Sequence, residues 1–348
     1  MNMLRRAATF GLVGVPAATL VASRIYRERN RPNLLTSYDQ TSLAGRTVVI
    51  SGGTSGIGRA VATDMVKLGA TVVIGSRDAA RGEAARTAII NAASTGEKQV
   101  LVLPLDTSDG ESVAAFAERI AATYGEVDVV VAAAAEIHTA RSATASGVDL
   151  GLATNHLGVQ GLVCGLEPAL RRAGNAESSR RPRVVIVGSR LEQRGGVDVD
   201  ALRVSGGAHL RASTGGEDSD AFNPISAYAD TKHANMLLLT HLAERWRDGD
   251  GAGPIAEVFA VTPGMVDTGL WRNFPFWYRS VTYPIRAVAL RSAEDAAAGI
   301  VFAATATALD GKSGAYLGDG MEVEPSEGSR DKDKAQKLFE ICQVLISK

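Results

Sequence analysis

Cysteine is almost missing from this chain. Cys164 and Cys342 are the two in 348 residues, too few for a disulfide framework, and neither stands in a C-x-x-C zinc or redox spacing. No metal site is expected. No N-x-S/T acceptor occurs, so nothing points to a glycosylated, secreted protein. Charge of one sign is not in excess either: 37 Lys and Arg against 38 Asp and Glu leave a net charge of −1. That balance excludes a strongly basic nucleic-acid binder and an acidic solvating tail. What is plentiful is apolar residues, 45% beside 22% charged, which is ordinary globular composition. Glycine is also frequent, 37 residues or about 11% against a usual ~7%. Without a repeat, that excess suggests tight turns and close backbone approaches, as α/β folds need.

Residues 1–33 are of another kind. Arg5 and Arg6 precede a charge-free run, Ala7–Ser23, and Arg24, Arg27, Arg29 and Arg31 follow it. As a helix the run rises roughly 25 Å, slightly short of a ~30 Å hydrocarbon core. Extension through Ile25 and Tyr26, with Arg24 snorkelling, completes a span, and Pro16 would kink it. The segment reads as a membrane anchor. An import presequence is the alternative, because the stretch is Arg-rich and its first acid is Glu28; a soluble amphipathic arm is the third. An anchor would attach the protein to the endoplasmic reticulum or a mitochondrial or plastid membrane. Four Arg after the span against two before it would place the main domain on the cytosolic or matrix side. Residues 34–42 read as a linker.

From residue 43 to 348 the pattern is that of one Rossmann-type domain. Short β-branched runs at Thr47–Ile50, Thr71–Ile74, Gln99–Leu103, Val127–Val131, Val184–Val187 and Ile255–Val261 alternate with helical spacings. The helices fall at Arg59–Leu68, Ala79–Ser94, Glu111–Tyr124, about Val148–Arg172 and Ala227–Trp246, with a last one in Lys332–Lys348. Such alternation predicts right-handed βαβ crossovers and a doubly wound parallel sheet with helices on both faces. Residues 195–223, rich in Gly, Ser and Asp, read as a long surface insertion.

Gly52-x-x-x-Gly56-x-Gly58 follows the first strand and opens the first helix. Glycines there let backbone amides approach a pyrophosphate, the helix N-terminus adds a favourable dipole, and Thr54 and Ser55 offer hydroxyls. The lysine of a nucleoside-triphosphate loop is missing, which favours a dinucleotide. An acid ending the second strand would accept bonds from an adenosine ribose. Here that end reads Gly75-Ser76-Arg77, with Arg59 just beyond the glycine loop. Guanidinium groups pair with a 2′-phosphate, so NADP(H) is expected over NAD(H). Asp106, ending the third strand, is placed to meet the adenine amino group, although a helix N-cap would look the same.

Tyr228-x-x-x-Lys232 sets a phenol and an ammonium on one helix face. A free phenol, with pKa about 10, exchanges protons poorly at neutral pH. Lowering it by roughly three units takes about 4 kcal/mol, which the Lys charge and an oxidised nicotinamide would supply. Ser189 follows a strand and Asn155 lies in the helix before it, so both emerge near the carboxyl edge where α/β sheets bind ligands. Ser189 would hold a substrate oxygen; Asn155 would fix a backbone carbonyl or a water.

Together these segments resemble the short-chain dehydrogenase/reductase family from about residue 43 onward. The family's glycine loop matches Ser51–Gly58, including Ile57; its adenine acid matches Asp106; its Asn, Ser, Tyr and Lys match Asn155, Ser189, Tyr228 and Lys232. Its Pro-Gly cofactor loop falls on Pro263, Gly264, Met265, Val266, Asp267 and Thr268. NHLG, AYADTKHANML and SGAYL with VEPSEGSRD look like the retinol-dehydrogenase-like branch, and protochlorophyllide reductases share several of these segments.

The resemblance implies hydride transfer between nicotinamide and a carbinol or carbonyl carbon. Tyr228 would be the general acid/base, Lys232 its activator and ribose ligand, and Ser189 the substrate anchor. An apolar alcohol or carbonyl (retinoid, sterol or lipid) is the expected substrate, and a homodimer is compatible with the likeness. The other readings are a light-driven pigment reductase and a non-catalytic NADPH-binding scaffold. Three departures stand out: Ala132–Ala135 replaces the family's N-N-A-G; Ser189 and Tyr228 lie an unusual 39 positions apart; and Trp271, Phe274, Phe276, Trp277 and Tyr278 form an aromatic cluster, read as a substrate lid.

Overall fold

Valine and isoleucine dominate the strands because each strand is covered on both faces. Successive side chains alternate between the two sides of the sheet, yet Val48, Val49, Ile50, Val72, Val73 and Ile74 are all fully buried. The computed structural model describes residues 43–96, 99–175, 181–208, 210, 222–248, 254–266, 269–275 and 290–347. The expected anchor (1–33) and linker (34–42) lie outside the described residues. Among those described, no helix is long and apolar enough to cross a membrane.

Eight strands form one sheet in the order β3-β2-β1-β4-β5-β6-β7-β8. They are β1 (Thr47–Ser51), β2 (Thr71–Ser76), β3 (Val100–Pro104), β4 (Val129–Ala132), β5 (Arg183–Val187), β6 (Glu257–Thr262), β7 (Tyr316–Gly318) and β8 (Met321–Glu322). Every pairing is parallel except β7 with β8, so the sheet is mostly parallel, as the alternating pattern predicts. One face carries α1 (Gly56–Lys67), α2 (Ala79–Ala93) and α7 (Ala293–Thr305). The other carries α3 (Gly110–Tyr124), α4 (Gly158–Asn175) and α6 (Pro224–Asp248). α5 (Val199–Val204) and α8 (Lys332–Ile346) close the same side.

The chain order reverses between β1 and β4, and that switch point opens the crevice where open α/β sheets bind ligands.

Two stretches differ from expectation. Residues 195–223 are not all surface: α5 is capped by Asp198, and Val197, Leu202 and Leu210 pack with Leu338, Ile341 and Leu345 of α8. Residues 209 and 211–221 of that stretch lie outside the description. Before α4 the helix does not run evenly, because Ala153–Leu157 widens into a π-turn.

Candidate active site

At the carboxyl edge of β1, β4, β5 and β6 lies a cavity of about 850 Å³. Its floor is the glycine turn. Gly52 has φ +73°, and a Cβ there would come within 2.7 Å of the Ala134 backbone nitrogen. A Cβ on Gly58 would meet the Gly52 carbonyl at 2.3 Å. The turn therefore folds onto its neighbours only with hydrogen at these positions. Ser55 caps α1 with extended backbone and no side-chain bond, and it lines the cavity with Thr54, Gly56, Ile57 and Gly58. This cradle, facing a helix start whose amides no side chain engages, fits a dinucleotide pyrophosphate.

Arg77 also lines the cavity, but its guanidinium pairs with Glu136 at 2.5 Å. Arg59 is exposed and does not line it. Asp106 stays outside as well: its carboxylate accepts from the Ser108 amide at 2.9 Å and the Ser108 hydroxyl at 2.7 Å, closing a turn. The expected helix cap is instead Asp109.

Tyr228 and Lys232 sit on α6 and are both buried. Tyr228 packs against Ile137 and Phe274. Lys232 Nζ lies 5.4 Å above the Tyr228 ring and donates to the Val187 carbonyl at 2.8 Å. Burial pushes the Tyr228 phenol up, helped by the neighbouring Tyr316 phenol, and holds the Lys232 ammonium down to about 8. The Lys charge is one of the two contributions expected to lower the phenol, an oxidised nicotinamide being the other. Desolvation outweighs the ammonium, which is anchored to a carbonyl, not to the phenol oxygen.

Ser189 lines the cavity and its Oγ accepts from the Leu191 amide at 3.2 Å. Asn155 does not face the main cavity. Its Oδ1 accepts from the Glu136 amide and its Nδ2 donates to the Glu136 carbonyl, both at 2.8 Å. The π-turn that aims it is braced from behind. Asn235 Nδ2 donates to the Asn155 carbonyl at 2.9 Å, while His156 Nδ1 lies 2.8 Å from Asn235 Oδ1. An amide oxygen only accepts, so His156 is the donor there.

Pro263, Gly264 and Val266 line the cavity's far end. Their loop is held by Arg291, whose amide donates to the Met265 carbonyl at 2.9 Å and whose guanidinium pairs with Asp319. Thr268 lies outside the described residues, as do Phe276, Trp277, Tyr278 and the Trp271 side chain.

The residues that sequence reasoning missed are Glu136, Arg272, Arg291 and Asp319, which all line the cavity as charged groups paired across long separations. Cys164 lies elsewhere, on α4 against Gln343, with its thiol pushed up to about 11 by burial.

A model of the short chain dehydrogenase family matches residues 46–199. A mouse polyprenol dehydrogenase is 32% identical over 339 residues, covering 97% of this chain and 93% of that one. Mouse retinol dehydrogenase 14 is 28% identical, covering 88% of each. Among solved structures, an uncharacterized Mycobacterium paratuberculosis protein superposes with TM-score 0.64 at 25% identity, covering 92% of this chain and 98% of that one. A Beutenbergia cavernae structure with bound NADP superposes with TM-score 0.55 at 27% identity, over 80% of this chain and 97% of that one.

Proposed function

The chain belongs to the short-chain dehydrogenase/reductase family, in its retinol-dehydrogenase-like branch, and on that premise we propose an NADP(H)-dependent oxidoreductase that interconverts an apolar alcohol and its aldehyde or ketone. The observation that carries this reading is the buried Tyr228–Lys232 pair on one wall of a cavity floored by the glycine turn. The nicotinamide supplies or accepts the hydride when bound. Tyr228 gives or takes the proton at the substrate oxygen. When charged, Lys232, 5.4 Å from the Tyr228 ring, favours the phenolate, and it would also bind ribose hydroxyls. The Ser189 hydroxyl keeps its proton for the substrate oxygen because its own oxygen already accepts from Leu191. Asn155 holds the Glu136 segment in place through both backbone groups.

Arg77 is the ligand for a 2′-phosphate. Ile137, Phe274, Leu191 and Leu270, grouped around Tyr228, offer an apolar wall to the substrate. The names of the polyprenol and retinol dehydrogenase relatives are of the same substrate chemistry. We assign residues 1–33 as the membrane anchor that brings such a substrate within reach.

The test is consumption of NADPH or NADH by the purified chain against retinoid, polyprenoid and steroid carbonyls, in darkness. Turnover faster with NADPH supports the reading. Dinucleotide binding without turnover on any carbonyl supports an idle scaffold, and turnover of a tetrapyrrole only under illumination supports a pigment reductase.

A further inference from the structure

We infer that Glu136 is a built-in competitor for the 2′-phosphate and so sets how strongly the site prefers a 2′-phosphorylated dinucleotide; the inference rests on the role just given to Arg77. β1 lies between β2 and β4 in the sheet. Arg77 immediately follows β2, and Glu136 stands four residues past β4. Their ion pair therefore crosses above the end of β1, where the glycine turn begins. With the pyrophosphate on that turn and the adenosine toward β2, a 2′-phosphate that takes Arg77 has to part the pair.

The carboxylate has no ready way out. Its backbone is fixed on both sides by Asn155, and its side chain is 12% exposed. Arg272, from the segment after the Pro-Gly loop, pairs with the same oxygen, Oε1. That segment is tied down again where Asn273 Nδ2 donates to the Ile137 carbonyl at 3.0 Å.

When a 2′-phosphate takes Arg77, Glu136 remains beside it as a like charge, compensated by Arg272. A dinucleotide with a plain 2′-hydroxyl meets the opposite situation, since a carboxylate accepts hydrogen bonds from ribose. Glu136 thus penalises NADP(H) and tolerates NAD(H), and Arg272 moderates the penalty.

The two substitutions make opposite predictions. Replacing the carboxylate, Glu136→Gln, keeps the shape and the Asn155 contacts but frees Arg77. NADPH should then bind about two- to fivefold more tightly, as expected for a partly exposed charge pair, while NADH changes less than about twofold. Replacing the moderator, Arg272→Gln, leaves Glu136 to Arg77 alone and should lower the preference for NADPH. Dissociation constants for NADPH and NADH, read by calorimetry on wild type and both variants, decide it. A ratio that rises in the first variant and falls in the second confirms the inference. Ratios unmoved in a wild type that binds NADPH overturn the inference and leave the functional reading standing. A wild type that binds neither dinucleotide overturns both.

Discussion

Tyr228, Lys232 and Ser189 meet at the cavity through local geometry: one helical turn joins the first two, and a strand end exposes the third. Glu136 is held by distant partners, 59 and 136 positions away, and nothing in the intervening sequence marks them. His156 was equally hidden, although it sits in the NHLG segment that carries the resemblance. It is fully buried, and burial holds its imidazole down to about 4. The unfolded chain takes up that proton near pH 6.5, so stability is whole above 6.5 and is lost as pH falls toward 4. The shift corresponds to about 3 kcal/mol in order of magnitude. Denaturant unfolding measured across that window should show the fall, and His156→Gln should flatten it; an unchanged slope would assign the acid sensitivity to other groups. Gly58→Ala makes a second residue-scale prediction. Its Cβ would meet the Gly52 carbonyl at 2.3 Å, so the glycine turn must shift. NADPH affinity should drop more than about tenfold even where the variant folds, as calorimetry would show.

At the scale of elements, β-branched runs mark six strands, and helical spacing marks α1, α2, α3, α4, α6 and α8. β7 escaped because three residues give no period. α7 escaped for the opposite reason: residues 296–305 are all buried, so it has no polar face to mark a helix. Its start was nevertheless readable, as Ser292 accepts from the Asp295 amide with Glu294 in the first turn. In the stretch 195–223 composition misleads: Gly, Ser and Asp suggest surface, while Val197, Leu202 and Leu210 pack against α8. Leu202 is fully buried in that contact. Leu202→Ala should therefore cost about 2–5 kcal/mol of unfolding free energy, a core-sized loss that an exposed insertion would not show.

For the whole molecule, the doubly wound sheet and its switch-point crevice followed from strand and helix alternation, while the charged clasp over that crevice needed three dimensions. The N-terminal segment belongs to this scale too. Removing residues 1–33 should move the protein from the membrane pellet to the supernatant on fractionation; a full-length chain already in the supernatant would refute the anchor. The central claim is that the buried phenol beside Lys232 handles the proton of a hydride-transfer reaction. Its most direct test is Tyr228→Phe, which removes one oxygen from a packed ring. In that variant kcat should fall at least about 10²-fold, with the NADPH dissociation constant unchanged within about twofold. Turnover retained at the wild-type rate would contradict it.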